Sequence, residues 1–247
     1  MIQTFESATY NRPPINSDTD VVYVYSGPGP YSYNLLEPGK TDLEDFQYHK
    51  YPWSRKMDRA KIRFAYALIG TIAAKRMEDQ TGVKKASRNL TSQEYENFGP
   101  FLMYTSTNWQ NAHIRHTFGV LKQAGLFKIP DSKLVMYEEF TNRLGERKPI
   151  IHTEDQTEGL QFPLRPDGSP PRRIAMISHP AHLMRVMHIL GKYQDSIPES
   201  SILQIIPVHT PKAAVIEYAR IELLGTIGTV FSRKRASLIP FTKYTLD

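Results

Sequence analysis

The chain of 247 residues is 40% hydrophobic, 11% aromatic and 23% charged, and it contains no cysteine. That composition excludes collagen and an intrinsically disordered chain, and the missing thiols exclude disulfide frameworks, zinc ribbons, iron–sulfur clusters and thiol nucleophiles together. Lys+Arg 31 against Asp+Glu 25 leave a net charge of +6, a balance that favours anionic partners without choosing among them.

A chain of this length buries about 70–75% of its surface on folding, so its core needs no disulfide or metal. One α/β domain over residues 18–247 is expected, after an arm at 1–17 marked by Pro13-Pro14 and Asn16-Ser17. The first residues, MIQTFESATYNRPP, lack the cationic start and apolar core of a secretory signal. The longest apolar candidate, Phe64 to Ala74, is too short to span a bilayer. A soluble, cytoplasmic protein with no membrane span is the expectation.

In chain order, Asp20-Val21-Val22-Tyr23-Val24-Tyr25 reads as a buried strand running into the loop Ser26-Gly27-Pro28-Gly29-Pro30. Residues 31–55 are aromatic and Pro-rich, a long connection that could lie over a cleft or pack down as an outer layer. From Asp58 an amphipathic helix carries Ile62, Ala65, Tyr66, Ile69, Ile72 and Ala73 and ends between Met77 and Gly82, with Arg59, Lys61 and Arg63 elsewhere on the wheel. A short helix capped by Thr91-Ser92 with Glu94 follows.

The second strand is Phe101 to Tyr104, followed by Thr105-Ser106-Thr107-Asn108 and a helix through Ile114, Phe118 and Leu121 that stops at Gly125. Leu134 to Tyr137 reads as a third strand ending in Glu138-Glu139, and Pro149 to His152 as a fourth, leading into an acidic loop at Thr153 to Glu158. Arg173 to Ile177 and Ile202 to Val208 are further strands, separated by a helix through Leu183, Val186 and Leu190. A last helix starts near Pro211 and runs through Leu224. Strands alternating with helices imply βαβ units and a mainly parallel sheet covered on both faces, a Rossmann-like three-layer α/β/α sandwich.

In such a sheet the ligand site lies beyond the carboxyl ends of the strands, which selects four loops. Glycines 27 and 29 let backbone approach a phosphate or ribose, although a structural tight turn explains SGPGP as well. Thr105 to Asn108 precede a helix start that is receptive to anions, but ordinary N-capping accounts for the same residues and is the favoured reading. His152 with Glu154, Asp155 and Glu158 could hold a divalent cation, bind a ribose or serve as a base, or be a solvated loop. Ser178-His179-Pro180-Ala181-His182-Leu183-Met184-Arg185 is the sharpest signal. His182 and Arg185 lie three apart on one helical face near its start, placed to meet an anion. His179 and His182 lack an evident third metal ligand. The runs Lys84-Lys85, Arg172-Arg173 and Arg233-Lys234-Arg235 read as solvated faces, and nucleic acid is not an expected partner.

The order of these features resembles domain-of-unknown-function family 218, the YdcF/SanA/ElyC-like proteins, over most of residues 18–225. The resemblance runs through Asp20 to Gly29, Asp58-Arg59, Thr105-Ser106, Gly125 with Ile129-Pro130 before Glu138, Thr153 to Glu158, and Ser178 with His182-Leu183-Met184-Arg185. It implies a Rossmann-like fold whose ligand cleft is lined by Gly27, Gly29, Arg59, Thr105, Ser106, Glu138, Thr157 and Ser178. The family's acidic loop matches either Glu138 to Asn142 or Glu154 to Glu158. S-adenosylmethionine is the ligand the resemblance implies, a nucleotide is the one the loops suggest, and the unanchored, YdcF-like branch is the one that fits. No acidic residue ends the second strand, so binding of S-adenosylmethionine would not establish methyl transfer.

Three functions follow as expectations. The first is binding of a nucleotide-like or phosphorylated small anion at the carboxyl edge of the sheet. The second is a hydrolase or transferase of phosphorylated or glycosyl substrates, with His182 as acid/base, Arg185 as clamp and Asp155 or Glu158 as base or metal ligand. The third, ranked last because the basic residues are dispersed, is a module that binds a macromolecule through its basic surface.

Overall fold

A computed structural model describes residues 16–26, 52–150 and 153–208, with backbone alone at 52–57 and 109. The arm before residue 16, the Gly27/Gly29 loop, most of the 31–55 connection, His152, the helix from Pro211 and the Arg233-Lys234-Arg235 run lie outside the described residues.

The main sheet is five-stranded and parallel, in the order β3-β2-β1-β6-β7. Its strands are β1 (Thr19–Tyr25), β2 (Phe101–Thr105), β3 (Leu134–Val135), β6 (Arg173–Ser178) and β7 (Ile202–Pro207). Central parallel strands are covered on both faces and therefore read as continuous apolar runs, as VVYVY and RIAMIS do. Alternate residues supply two cores. Val22, Val24, Leu102, Tyr104, Ala175 and Ile177 pack against Ala65, Ile69 and Ile72 of α1 (Pro52–Thr81) and against Ile114 and Phe118 of α3 (Asn108–Gln123). On the other face Val21, Tyr23, Tyr25, Ile174 and Met176 meet Leu183, Val186 and Leu190 of α5 (Pro180–Lys192). These are the three layers of a Rossmann-like sandwich. Each large apolar side chain taken fully from water contributes about 1.5–3 kcal/mol.

Helix boundaries follow local chemistry. α2 (Ser92–Phe98) has the expected capping box, in which Thr91 accepts from Glu94 N and the Glu94 carboxylate accepts from Thr91 N. Lys85 first, then that backbone N–H, hold the Glu94 carboxyl below its ordinary value. Gly125 takes φ +68° after α3, where its N–H reaches Lys122 O and the next N–H reaches Leu121 O. That left-handed stop is the one its position predicts.

Five expectations are corrected. The long helix starts at Pro52 and so takes in the end of the 31–55 connection. The third strand stops at Val135, and the fourth, expected from Pro149, is not a strand of the main sheet: Pro149 instead ends an antiparallel hairpin, β4 (Glu139–Thr141) with β5 (Arg147–Pro149). Phe140 is its one buried residue and packs at Gly159, where a Cβ would come within 2.4 Å of Phe140 Cβ. The acidic loop is a short helix, α4 (Thr153–Glu158), packed on α5. Lys61, placed on the polar side of α1 from the sequence, is fully buried, while Arg59 and Arg63 are exposed. No helix among the described residues is long and apolar enough to cross a membrane.

Candidate binding site at the carboxyl edge of the sheet

The chain runs outward from β1 through β2 to β3 and then returns to β6 beside β1. Strand order thus reverses between β1 and β6, the position at which open α/β sheets carry their ligand crevice. Tyr25 and Ser26 end one strand there, and Ser178 ends the other.

On the α5 side, His182 is buried in the first helical turn, its ring edge-on to Tyr25 with centroids 5.9 Å apart. Arg185 Nη2 donates to His182 Nδ1 at 3.1 Å. A guanidinium has no acceptor, so Nδ1 accepts in this contact and the imidazole is neutral, with its proton on Nε2. Thr157 donates to Thr153 O at 2.8 Å. That commits its one proton, so Tyr25 OH is the donor in the 3.1 Å contact with Thr157 Oγ1. Gln156 Nε2 donates to Ser26 Oγ at 2.8 Å. Gln156 and Thr157 thereby hold α4 against the end of the central strand. Tyr23 OH shares a 2.6 Å hydrogen bond with Thr105 Oγ1, and burial, helped by Tyr25, holds this phenol well above its ordinary value, hence neutral.

On the α1 side lies a buried ion pair. Lys61 Nζ is 2.9 Å from Asp58 Oδ1 and donates to Tyr25 O at 2.6 Å, and Tyr104 OH reaches Asp58 Oδ2 at 3.4 Å. The last carbonyl of β1 and a buried carboxylate are both answered by these two side chains.

The two helices that start at this edge differ. At α3, Thr107 is the N-cap and accepts from Gln110 N, while Ser106 Oγ donates to Gln110 Oε1. The capping reading of that loop is the one observed. At α5 the N-cap is His179, whose side chain makes no cap hydrogen bond. Its Nδ1–H donates instead to Val208 O at 2.8 Å. The first amides of α5 therefore have no side-chain cap, and the positive end of a 13-residue helix faces the crevice.

Three buried polar atoms at this edge have no hydrogen-bond partner among the described residues: Ser178 Oγ, Gln156 Oε1 and Asn111 Oδ1. Leaving such an atom unmade costs about 1–3 kcal/mol. Asn16 Nδ2, at the opposite end of the sheet, and Gln204 Nε2, within β7, are in the same condition.

Of the residues expected to form the site, Ser178, His182, Arg185 and Thr157 are brought together around Tyr25, and Thr105 joins them through Tyr23. Ser106 is occupied in the α3 cap. Glu138 pairs with Arg115 beyond β3, and Arg59 is exposed. Asp155 is half-buried on α4. Its carboxylate neighbours are engaged elsewhere, Glu154 with Lys192 and Tyr193 and Glu158 with the backbone of Arg143. Gly27 and Gly29 lie outside the described residues. No group of three or more His, Asp or Glu positioned to hold a metal occurs among the described residues. Lys61, Gln156 and Asn111 were not singled out in the sequence. Comparison with protein-family models, with curated proteins and with solved structures gives no significant match.

Proposed function

We propose that the chain binds a small anion, a nucleotide-like or phosphorylated metabolite, in the crevice between β1 and β6. One observation carries the reading: Ser178 Oγ is fully buried without a hydrogen-bond partner among the described residues, directly before a helix start that has no side-chain cap. An anionic oxygen there would accept from the Ser178 hydroxyl and the first α5 amides, with Arg185 supplying charge. The resemblance to domain-of-unknown-function family 218 supports the same edge and adds S-adenosylmethionine to the ligands worth testing.

The test is thermal stability of the full chain with inorganic phosphate, adenosine 5′-monophosphate, glucose 6-phosphate and S-adenosylmethionine. A ligand at a hundred times its Kd stabilises by about 2.7 kcal/mol. Stabilisation by at least one compound, lost in Arg185→Ala, is expected. Equal stabilisation of wild type and Arg185→Ala, or none by any compound, overturns the reading.

A hydrolase or transferase is the second reading, favoured by one detail. Arg185 donates to His182 Nδ1 and so leaves Nε2–H as the ring's donor, the form in which a neutral imidazole hydrogen-bonds charge developing on a substrate oxygen. It requires turnover of a phosphorylated or glycosyl substrate that His182→Ala abolishes.

A further inference from the structure

Asn111 lies one turn into α3, and its surroundings decide which way its amide faces. Both groups that its Nδ2 reaches are backbone carbonyls, Tyr137 O at 2.9 Å and Ser106 O at 3.3 Å. Carbonyls only accept, so the NH2 faces them and Oδ1 is turned to the other side. That oxygen is fully buried with no hydrogen-bond partner among the described residues. It can be satisfied only by an N–H or O–H. A phosphate dianion or a carboxylate has none to offer, so the anionic group proposed for the α5 start cannot itself answer Asn111, and another part of the ligand must.

The two positions are separated along the edge. Ser178 ends β6, whereas Asn111 bridges the carboxyl ends of β2 and β3. Strands lie about 4.8 Å apart, so passing from β6 across β1 to the β2–β3 boundary covers about 12 Å along the edge, and the separation in space is larger because α3 packs on the opposite face of the sheet from α5. Gln156, tied to Ser26 after β1, stands between them, and one atom of its amide also has no partner. A sugar phosphate is too short for that span, whereas a nucleoside phosphate sets its base well away from its phosphate.

We infer that the ligand is a nucleoside phosphate whose base carries an exocyclic amine, with the phosphate at Ser178 and the start of α5 and the amine donating to Asn111 Oδ1. This rests on the function proposed above and goes further in naming the second end of the molecule.

The experiment is titration calorimetry on the full chain with four probes. These are adenosine 5′-monophosphate, cytidine 5′-monophosphate, purine riboside 5′-monophosphate, which carries hydrogen in place of the amine, and ribose 5-phosphate. An amine-bearing nucleotide is expected to bind at least about tenfold more tightly than the amine-free one, the loss of one buried hydrogen bond. Asn111→Ala should bring that ratio close to one while ribose 5-phosphate still binds. Equal affinities in the wild type, or a ratio that survives in Asn111→Ala, overturns the inference and leaves the phosphate site standing. If no phosphate compound binds, both fall. The wild-type ratio decides the matter even if the variant fails to fold.

Discussion

The two ends of the sheet are built from different chemistry. At the amino end, formal charges close the structure. Arg76 donates to Ser17 O, Thr19 O and Phe98 O and pairs with Asp20 at 3.0 Å. Asp20 also accepts from Arg172 N and faces Arg165, while Arg173 pairs with Asp18. One guanidinium thus ties the approach to β1, the end of α2 and the carboxylate at the start of the sheet. At the carboxyl end the side chains are mainly neutral amides and hydroxyls, and three of their atoms have no partner among the described residues. The exceptions sharpen the contrast. Asp58 and Lys61 are a charged pair and Arg185 a further charge at the carboxyl end, and Asn16 Nδ2 has no partner among the described residues at the amino end. Charge that is matched within the fold serves folding, and neutral polar groups held out of water without a partner mark where a second molecule would complete the structure.

The largest effect is expected at the exception. Lys61→Met leaves the buried Asp58 carboxyl without its cation, which should cost about 3–5 kcal/mol in urea unfolding. The double variant Asp58→Asn/Lys61→Met should recover most of that. A Lys61→Met protein of normal stability that no longer binds ligand would move this pair from the fold to the site. Next comes Arg76→Ala, which strips three carbonyls and Asp20 of their donor. A loss of about 2–3 kcal/mol is expected, with ligand-induced stabilisation unchanged. If ligand binding fell with it, the separation of the two ends would not hold. The smallest effect has the opposite sign. Ser178→Ala removes a buried hydroxyl that makes no bond among the described residues, so the ligand-free protein should be as stable as wild type or more so, by up to about 1 kcal/mol. Its stabilisation by ligand should shrink. A clear loss of stability without ligand would show that Ser178 serves the fold.

Much of the fold could be read from the residues. Apolar runs located β1, β2, β6 and β7, Gly125 marked the end of α3, and Thr91 with Glu94 marked the start of α2. The hairpin could not be read this way, because Phe140 is its one buried residue and Arg147–Pro149 is exposed throughout. α4 is too short and too acidic to signal a helix. What orders it is tertiary, through Gln156 on Ser26 and Thr157 on Tyr25. Lys61 had a signal that its charge concealed. Positions 58, 61, 65, 69 and 72 form one helical stripe, and all five are buried. At the site, Ser178, His182 and Arg185 were legible from their crowding after a strand. Asn111 was not, since its role depends on two carbonyls, one of them 26 positions away.

The two residues of β3 close one side of the sheet. A long, flat, open edge is a template on which another chain can add a strand, and natural sheets blunt such edges by shortening them. With Leu134 and Val135 alone pairing to β2, and the chain turning at once toward the hairpin, an approaching strand would find too few amides and carbonyls in line to take hold. Among the described residues, the brevity of that strand leaves little template for a second chain on this side.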